Sequence, residues 1–136
     1  MLFEYDLTIP ANTPASAKVR LDMVLARGII HDVGVDFRAG ARHEVNVVIN
    51  RATHQVFPAN PDGYFKGDFW PIRYSTWEPL EESPYQLEAY GWSPGTSFNH
   101  VVTIRLNIDL REVLEPPRPE LGFLRRLEQL IFRGRL

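Results

Sequence analysis

Apolar residues recur at every second position in several separate stretches of this 136-residue chain. In the stretch FEYDLTI (3–9), apolar side chains alternate with Glu4, Asp6 and Thr8, which is typical of a β-strand with one buried face. The same alternation recurs in 18–25, 45–49, 85–92 and 100–110. Because residues such as Gly, Pro, Asn and Asp separate these stretches, the sequence predicts seven or eight short strands.

Short strands spaced roughly 8–14 residues apart indicate an all-β, antiparallel β-sandwich. The spacing fits a jelly-roll and an immunoglobulin-like topology equally well. In the stretch 29–37, the pattern predicts one face formed by Ile29, Val33, Val35 and Phe37, with His31 in the same row. Pro71 predicts an edge strand or a bulge, because proline has no N–H for a central ladder.

The end of the chain has a different pattern after a predicted β-sandwich domain over 1–115. Three prolines predict a stiff spacer over 116–120. Apolar residues then follow helical spacing and predict an amphipathic helical arm over 121–134. Its predicted interface residues are Leu121, Phe123, Leu124, Leu127, Leu130 and Ile131, together with Arg125 and Arg126.

An isolated helix of about 14 residues is marginal in water, so the arm is expected to dock on another surface. Its own sandwich, a neighbouring subunit and a membrane surface all stay open as docking surfaces. The net charge of −2 divides into +3 for 118–136 and −5 for the remainder, which favours head-to-tail contacts between copies. The acidic body disfavours binding to nucleic acid.

No motif in the sequence indicates an enzyme. The four histidines show none of the spacings of a zinc site, and the chain has no cysteine, so neither a metal nor another cofactor is predicted. The Gly-x-Ser-x-Gly motif and glycine-rich phosphate loops are also missing from the sequence. We therefore expect a non-enzymatic protein.

Aromatic residues are concentrated in the segment 64–77, and two more lie on the polar side of the strand predicted over 85–92. Large rings fill small β cores, so part of this set is expected inside. The others predict a subunit interface or a ligand surface on which sugar rings stack. The candidate residues are Trp70, Tyr74, Trp77, Tyr90 and Trp92.

Several segments carry a resemblance to known proteins: LTIPANTPAS, RGIIHDVGVDFRAGARHEVNVVIN, HQVFPANPDG, SPYQLEAYGW and HVVTIRLNIDL. With these segments the chain resembles small β-sandwich virion proteins encoded by phage and other prokaryotic-virus genomes. The resemblance covers residues 5–110, and HQVFPANPDG is its most specific element. It implies a minor capsid, cementing or decoration protein, and it brings no catalytic residues.

The sequence therefore predicts a structural subunit of a larger assembly, a virion protein that associates through its aromatic surface and its helical arm. Expected partners are further copies of the chain and other virion proteins. The alternative is a carbohydrate-binding or receptor-binding β-sandwich with a glycan as ligand. The N-terminus MLFEYDLTIP lacks the apolar region of a signal peptide, so the expected location is the virion, with the cytoplasm before assembly.

Overall fold

The computed structural model describes residues 1–115, which form nine strands, a 3-10 turn at Ala15–Ala17 and one short helix. The strands are β1 (Leu2–Ile9), β2 (Val19–Val24), β3 (Gly28–Phe37), β4 (Asn46–Arg51), β5 (His54–Phe57), β6 (Phe65–Lys66), β7 (Ile72–Leu80), β8 (Gln86–Trp92) and β9 (His100–Asp109). The helix α1 (Arg111–Leu114) has four residues. The predicted spacer over 116–120 and helical arm over 121–134, with its eight interface residues, lie outside the described residues.

Two antiparallel sheets pack face to face, which confirms the predicted sandwich. One sheet has the order β1-β9-β3-β7, and the other has the order β2-β8-β4-β5 with β6 paired to β4. Leaving the two-residue β6 aside, the first strand pairs with the last, the second with the seventh, the third with the sixth and the fourth with the fifth. This nested pairing is the jelly-roll topology, and it excludes the immunoglobulin-like alternative.

The core fills the space between the sheets with side chains from alternate strand positions. Leu7 and Ile9 of β1, Val33 and Val35 of β3, and Leu87 of β8 are fully or almost fully buried there. The row from Val102 to Ile108 on β9 is also buried. These are the faces that the alternation predicts, because successive side chains of a strand point to opposite sides of the sheet.

The strand β3 departs from that alternation at His31. The register of β3 against both β7 and β9 shifts between Ile30 and Asp32, so β3 contains a bulge. The extra residue shifts the alternation by one, and Ile30 joins the core cluster in place of Ile29. His31 instead meets Asp109, with Nε2 2.8 Å from Oδ2. The prediction of one continuous row from Ile29 to Phe37 that includes His31 was therefore wrong.

The strands define two opposite ends of the sandwich. The loop end comprises the loops 10–18, 38–45, 67–71 and 93–99. At the other end, which we call the exit end, β9 finishes at Asp109 and the chain continues into α1. Because β9 has ten residues, the two ends lie roughly 30 Å apart. The strand β7 is an edge strand that begins directly after Pro71, as that proline predicts.

Candidate functional site

The five aromatic residues that the sequence singles out do not share one surface. Trp70 lies at the loop end with 77% of its surface exposed, and Trp77 is exposed on the edge strand β7 nearer to the exit end. Tyr90 and Trp92 are half-buried on the outer face of the second sheet. Tyr74 faces the interior. Two candidates, Trp70 and Trp77, are therefore exposed in separate regions, while Tyr90 and Trp92 form a half-buried pair on the second sheet. Tyr74 packs against the core.

Tyr74 packs against the core as a partly buried residue, because the alternation of β7 directs its side chain inward. Its ring centroid lies 6.3 Å from that of Phe57 and 6.1 Å from that of Phe65. Burial raises the pKa of the Tyr74 hydroxyl to about 12. A role of Tyr74 at a subunit interface or ligand surface stays a prediction.

Cationic side chains cover the two rings of β8. Lys18 Nζ lies 4.4 Å from the ring centroid of Trp92, and Arg20 Cζ lies 6.0 Å from that of Tyr90. The ring of Tyr64 meets Trp92 edge-on, with 5.3 Å between centroids. These contacts are cation–π and aromatic pairs, which stabilise the outer face of the sheet. Tyr90 and Trp92 are thus less available to a partner than Trp70.

Three apolar side chains surround the point at which the chain leaves the sandwich: Trp77, Leu110 and Val113, all exposed. We call them the exit surface. Arg111 links this region to β7, because its Cζ lies 5.8 Å from the Trp77 ring centroid and its Nη2 lies 2.6 Å from Glu81 Oε1. The hydrogen bonds from Arg111 lower the pKa of the Glu81 carboxyl below its usual value. α1 is therefore held against β7, while its Val113 is exposed to solvent.

The loop end exposes two further aromatic rings, Phe69 and Phe98. Phe69 lies within the aromatic segment 64–77 but is not one of the five candidate residues, and Phe98 lies outside that segment. Phe69 has a φ of +63°, and the Trp70 N–H donates to the Asp68 carbonyl oxygen at 2.7 Å. This three-residue turn is a conformation that a phenylalanine rarely adopts. It places Phe69 and Trp70 in solvent with their ring centroids 6.0 Å apart. No local sequence signal distinguishes these rings from core aromatics.

Strained backbone is concentrated at the same end. In residues 1–115, five residues other than glycine have a positive φ, and four of them lie in the loop-end segments: Asn12, Arg42, His43 and Phe69. Such conformations persist only where surrounding contacts impose them, and they are frequent at functional sites. Because four of these five residues lie in the loop-end segments, the loops there are held in unusual backbone conformations.

Hydrogen bonds between the loops supply those contacts. Asn12 Oδ1 accepts from the Gly95 N–H at 2.7 Å, and the Asn12 N–H donates to Thr96 Oγ1 at 2.9 Å. On the other side, Asp68 Oδ1 accepts from the Gly40 N–H at 3.0 Å. Residues far apart in sequence thus fix one another's conformation at the loop end.

A cavity of about 280 Å³ opens between the loops 38–45 and 93–99. Its lining includes Arg42, Glu44, Ser97, Phe98 and His100. A second depression, of about 260 Å³, lies above Gly34 on the outer face of the four-stranded sheet and is lined by two arginines. One of them, Arg105, is already paired with Glu4 and Asp36 at 3.2 Å each. This depression therefore has less unpaired charge than the cavity at the loop end.

The histidines do not converge. His31 contacts Asp109, His100 lines the cavity, and His43 and His54 lie exposed in a loop and at the start of β5. In the part of the chain that the structure describes, no three metal-ligating side chains come together. In the same part, no helix has the length and apolar character needed to cross a membrane.

Comparisons with known proteins identify no family. No protein-family model matches the sequence, and no curated protein matches it either. Among solved structures, the chain is similar to the Yersinia pseudotuberculosis-derived mitogen (YPM), with 10% sequence identity and a TM-score of 0.39. The match covers 80% of this chain and 86% of the mitogen. A similarity of this size carries no argument about function.

Proposed function

We propose that this protein is a non-enzymatic structural subunit of a larger assembly, a virion, and that it attaches to its neighbours through the exit end. One observation carries the proposal: Trp77, Leu110 and Val113 are exposed around the point where the chain leaves the sandwich. Apolar side chains that cluster on a surface are typical of contact sites between proteins.

The chemistry of this surface suits a protein partner. Tryptophan and arginine are enriched at the centres of interfaces, and here Arg111 lies over Trp77 and is held by Glu81. The neighbouring strand β7 is an edge strand of nine residues. An edge strand has backbone hydrogen-bonding groups that can pair with a second chain. Side-chain and backbone contacts are therefore available side by side.

The proposed occupant is the segment 118–136 of a neighbouring copy. This segment carries a net charge of +3, and it follows Glu115 after a short proline-rich stretch. The exit end supplies carboxylates of opposite charge, namely Glu78, Glu82 and Glu112. Since the segment is tethered to a sandwich that is itself in the assembly, its effective concentration near the next exit end is high, and a weak contact suffices.

The virion assignment rests on the topology and on the resemblance of the sequence. Jelly rolls occur in viral capsid proteins and also in lectin domains, so the topology is compatible with both expectations. A fold does not determine a function. The resemblance to phage and prokaryotic-virus proteins over residues 5–110 favours the virion.

Native mass spectrometry across a concentration series tests the proposal. The full chain should form oligomers, and a chain ending at Glu115 should stay folded but associate at least tenfold more weakly. Trp77→Ala should also weaken association, whereas Trp70→Ala, which removes an exposed tryptophan at the opposite end, should not. A full chain that is monomeric at every concentration, or equal effects of the two tryptophan variants, would contradict the proposal.

A further inference from the structure

We infer that the loop-end cavity is a binding site for a neutral saccharide. The inference goes beyond the assembly role and does not depend on it, because the cavity and the exit surface lie at opposite ends of the sandwich. Attachment through the exit end would leave the loop end facing away from the assembly.

A largely buried polar side chain lines the cavity. His100 is only 7% exposed and is one of the lining residues. The ring nitrogens of an imidazole can donate to a hydroxyl group or accept from one. His100 therefore gives the cavity a polar group that suits the hydroxyls of a saccharide.

The cavity lining carries charges of both signs. Arg42 and Glu44 both border the cavity, and neither is in an ion pair with the other described residues. A guanidinium offers only donors and a carboxylate only acceptors. An anion would be repelled by Glu44 and a cation by Arg42. A neutral polyol, whose hydroxyls both donate and accept, satisfies both side chains together with the Ser97 hydroxyl.

The size of the cavity and one of its walls also suit a sugar. Small-molecule pockets usually have volumes of about 300–1,000 Å³, and this cavity, at about 280 Å³, suits a single sugar ring. Phe98 supplies an apolar wall, and its ring stacks on His100 with 4.4 Å between centroids. Gly40 keeps this wall accessible, because a Cβ at that position would lie 3.4 Å from Phe98 Cζ. A sugar ring presents C–H groups to an aromatic face and hydroxyls to its polar surroundings.

The rim extends the site beyond one sugar. Asp68 binds Gly40 of the cavity lining, and the next two residues, Phe69 and Trp70, are exposed beside it. The loops are already fixed by hydrogen bonds between Asn12 and the segment 93–99, so binding requires little ordering of the protein. The geometry therefore favours an oligosaccharide, with one ring in the cavity and further rings on the exposed aromatics.

The test begins with the full chain on an array of neutral, sialylated and sulfated oligosaccharides, followed by calorimetry with the best neutral glycan. Arg42→Gln and Glu44→Gln should each lower the affinity roughly tenfold or more, the usual effect of losing a hydrogen bond to a charged group. Arg38→Gln, an exposed arginine of the same loop that does not line the cavity, is the matched control and should leave the affinity unchanged. His100→Phe keeps the aromatic ring and should also weaken binding.

Glycans of different length distinguish binding in the cavity from binding at its rim. Trp70→Ala should weaken binding of a tetrasaccharide several-fold and leave binding of the corresponding monosaccharide unchanged. Absence of binding to every neutral glycan, a preference for sialylated or sulfated glycans, or equal affinities for Glu44→Gln and the native chain would each overturn the inference. Oligomer masses from the same samples report on the assembly proposal independently, so the failure of one proposal is not mistaken for failure of the other.

Discussion

Gly91 of β8 lies close to side chains of β1 in the opposite sheet. It continues the inward row of Leu87 and Ala89, and a Cβ at this position would lie 2.5 Å from Ile9 Cδ1 and 3.0 Å from Leu7 Cδ2. Neither distance is compatible with normal packing, and close-packed interiors adjust only partly. We therefore expect Gly91→Ala to lower the free energy of unfolding by about 1–3 kcal/mol, which is the usual cost of overpacking a core.

Gly34→Ala is the matched control, because Gly34 is also a strand glycine but faces the outer surface. A Cβ there would meet its nearest atoms, in Arg105 and Arg73, at 3.5 and 3.6 Å, which is ordinary van der Waals contact. Its free energy of unfolding should change by no more than about 0.5 kcal/mol, or rise slightly because alanine restricts the unfolded chain. Urea unfolding of both variants, followed by circular dichroism, measures the difference.

A double mutant tests the proposed cause. Ile9→Val removes Cδ1, the closest atom to the new Cβ, so Gly91→Ala combined with Ile9→Val should cost less than the sum of the single changes, by about 1 kcal/mol. The relief should be partial, because Ile9 Cγ1 at 2.8 Å and Leu7 remain close. If Gly91→Ala is as stable as the native chain, or if the two changes add without coupling, the close approach of the sheets at this point is refuted.

Three further predictions follow from individual contacts. The amino group of Met1 and the side chain of His31 lower the pKa of Asp109. The stabilisation they provide is therefore present at neutral pH and is lost as the pH falls through that lowered pKa. Asp109→Asn should therefore destabilise the protein at neutral pH and have progressively less effect on urea unfolding in acid. Burial raises the pKa of Tyr74 to about 12, so Tyr74→Phe should remove a phenolate that titrates near that pH from an ultraviolet pH titration. Unfolding of the native chain should become easier as the pH rises from about 10 towards that value. Asp68→Ala removes the acceptor of the Gly40 N–H and should accelerate hydrogen exchange of that amide without altering the amides of β9, whereas an unchanged rate would show that the loop is held by other contacts.

The sequence by itself determined six of the strands, β1 to β4, β8 and β9, and, for most of them, which side faces the core. The alternation around Leu7, Val47, Leu87 and Ile104 is a local property of the chain, because successive side chains of any strand point to opposite faces. Pro71 likewise indicated an edge strand or a bulge for a local reason, the missing N–H, and β7, which follows it, is an edge strand.

Tertiary structure decided everything that depends on residues distant in sequence. The nested strand pairing selects the jelly roll, and the bulge at His31 turns that side chain to Asp109, 78 positions away. The cavity exists only because the loops 38–45 and 93–99 meet, and the exposure of Phe69 depends on a strained turn that neighbouring loops hold in place. Periodicity along the chain reports the face on which a residue lies, whereas a binding site requires several faces and loops to meet in space.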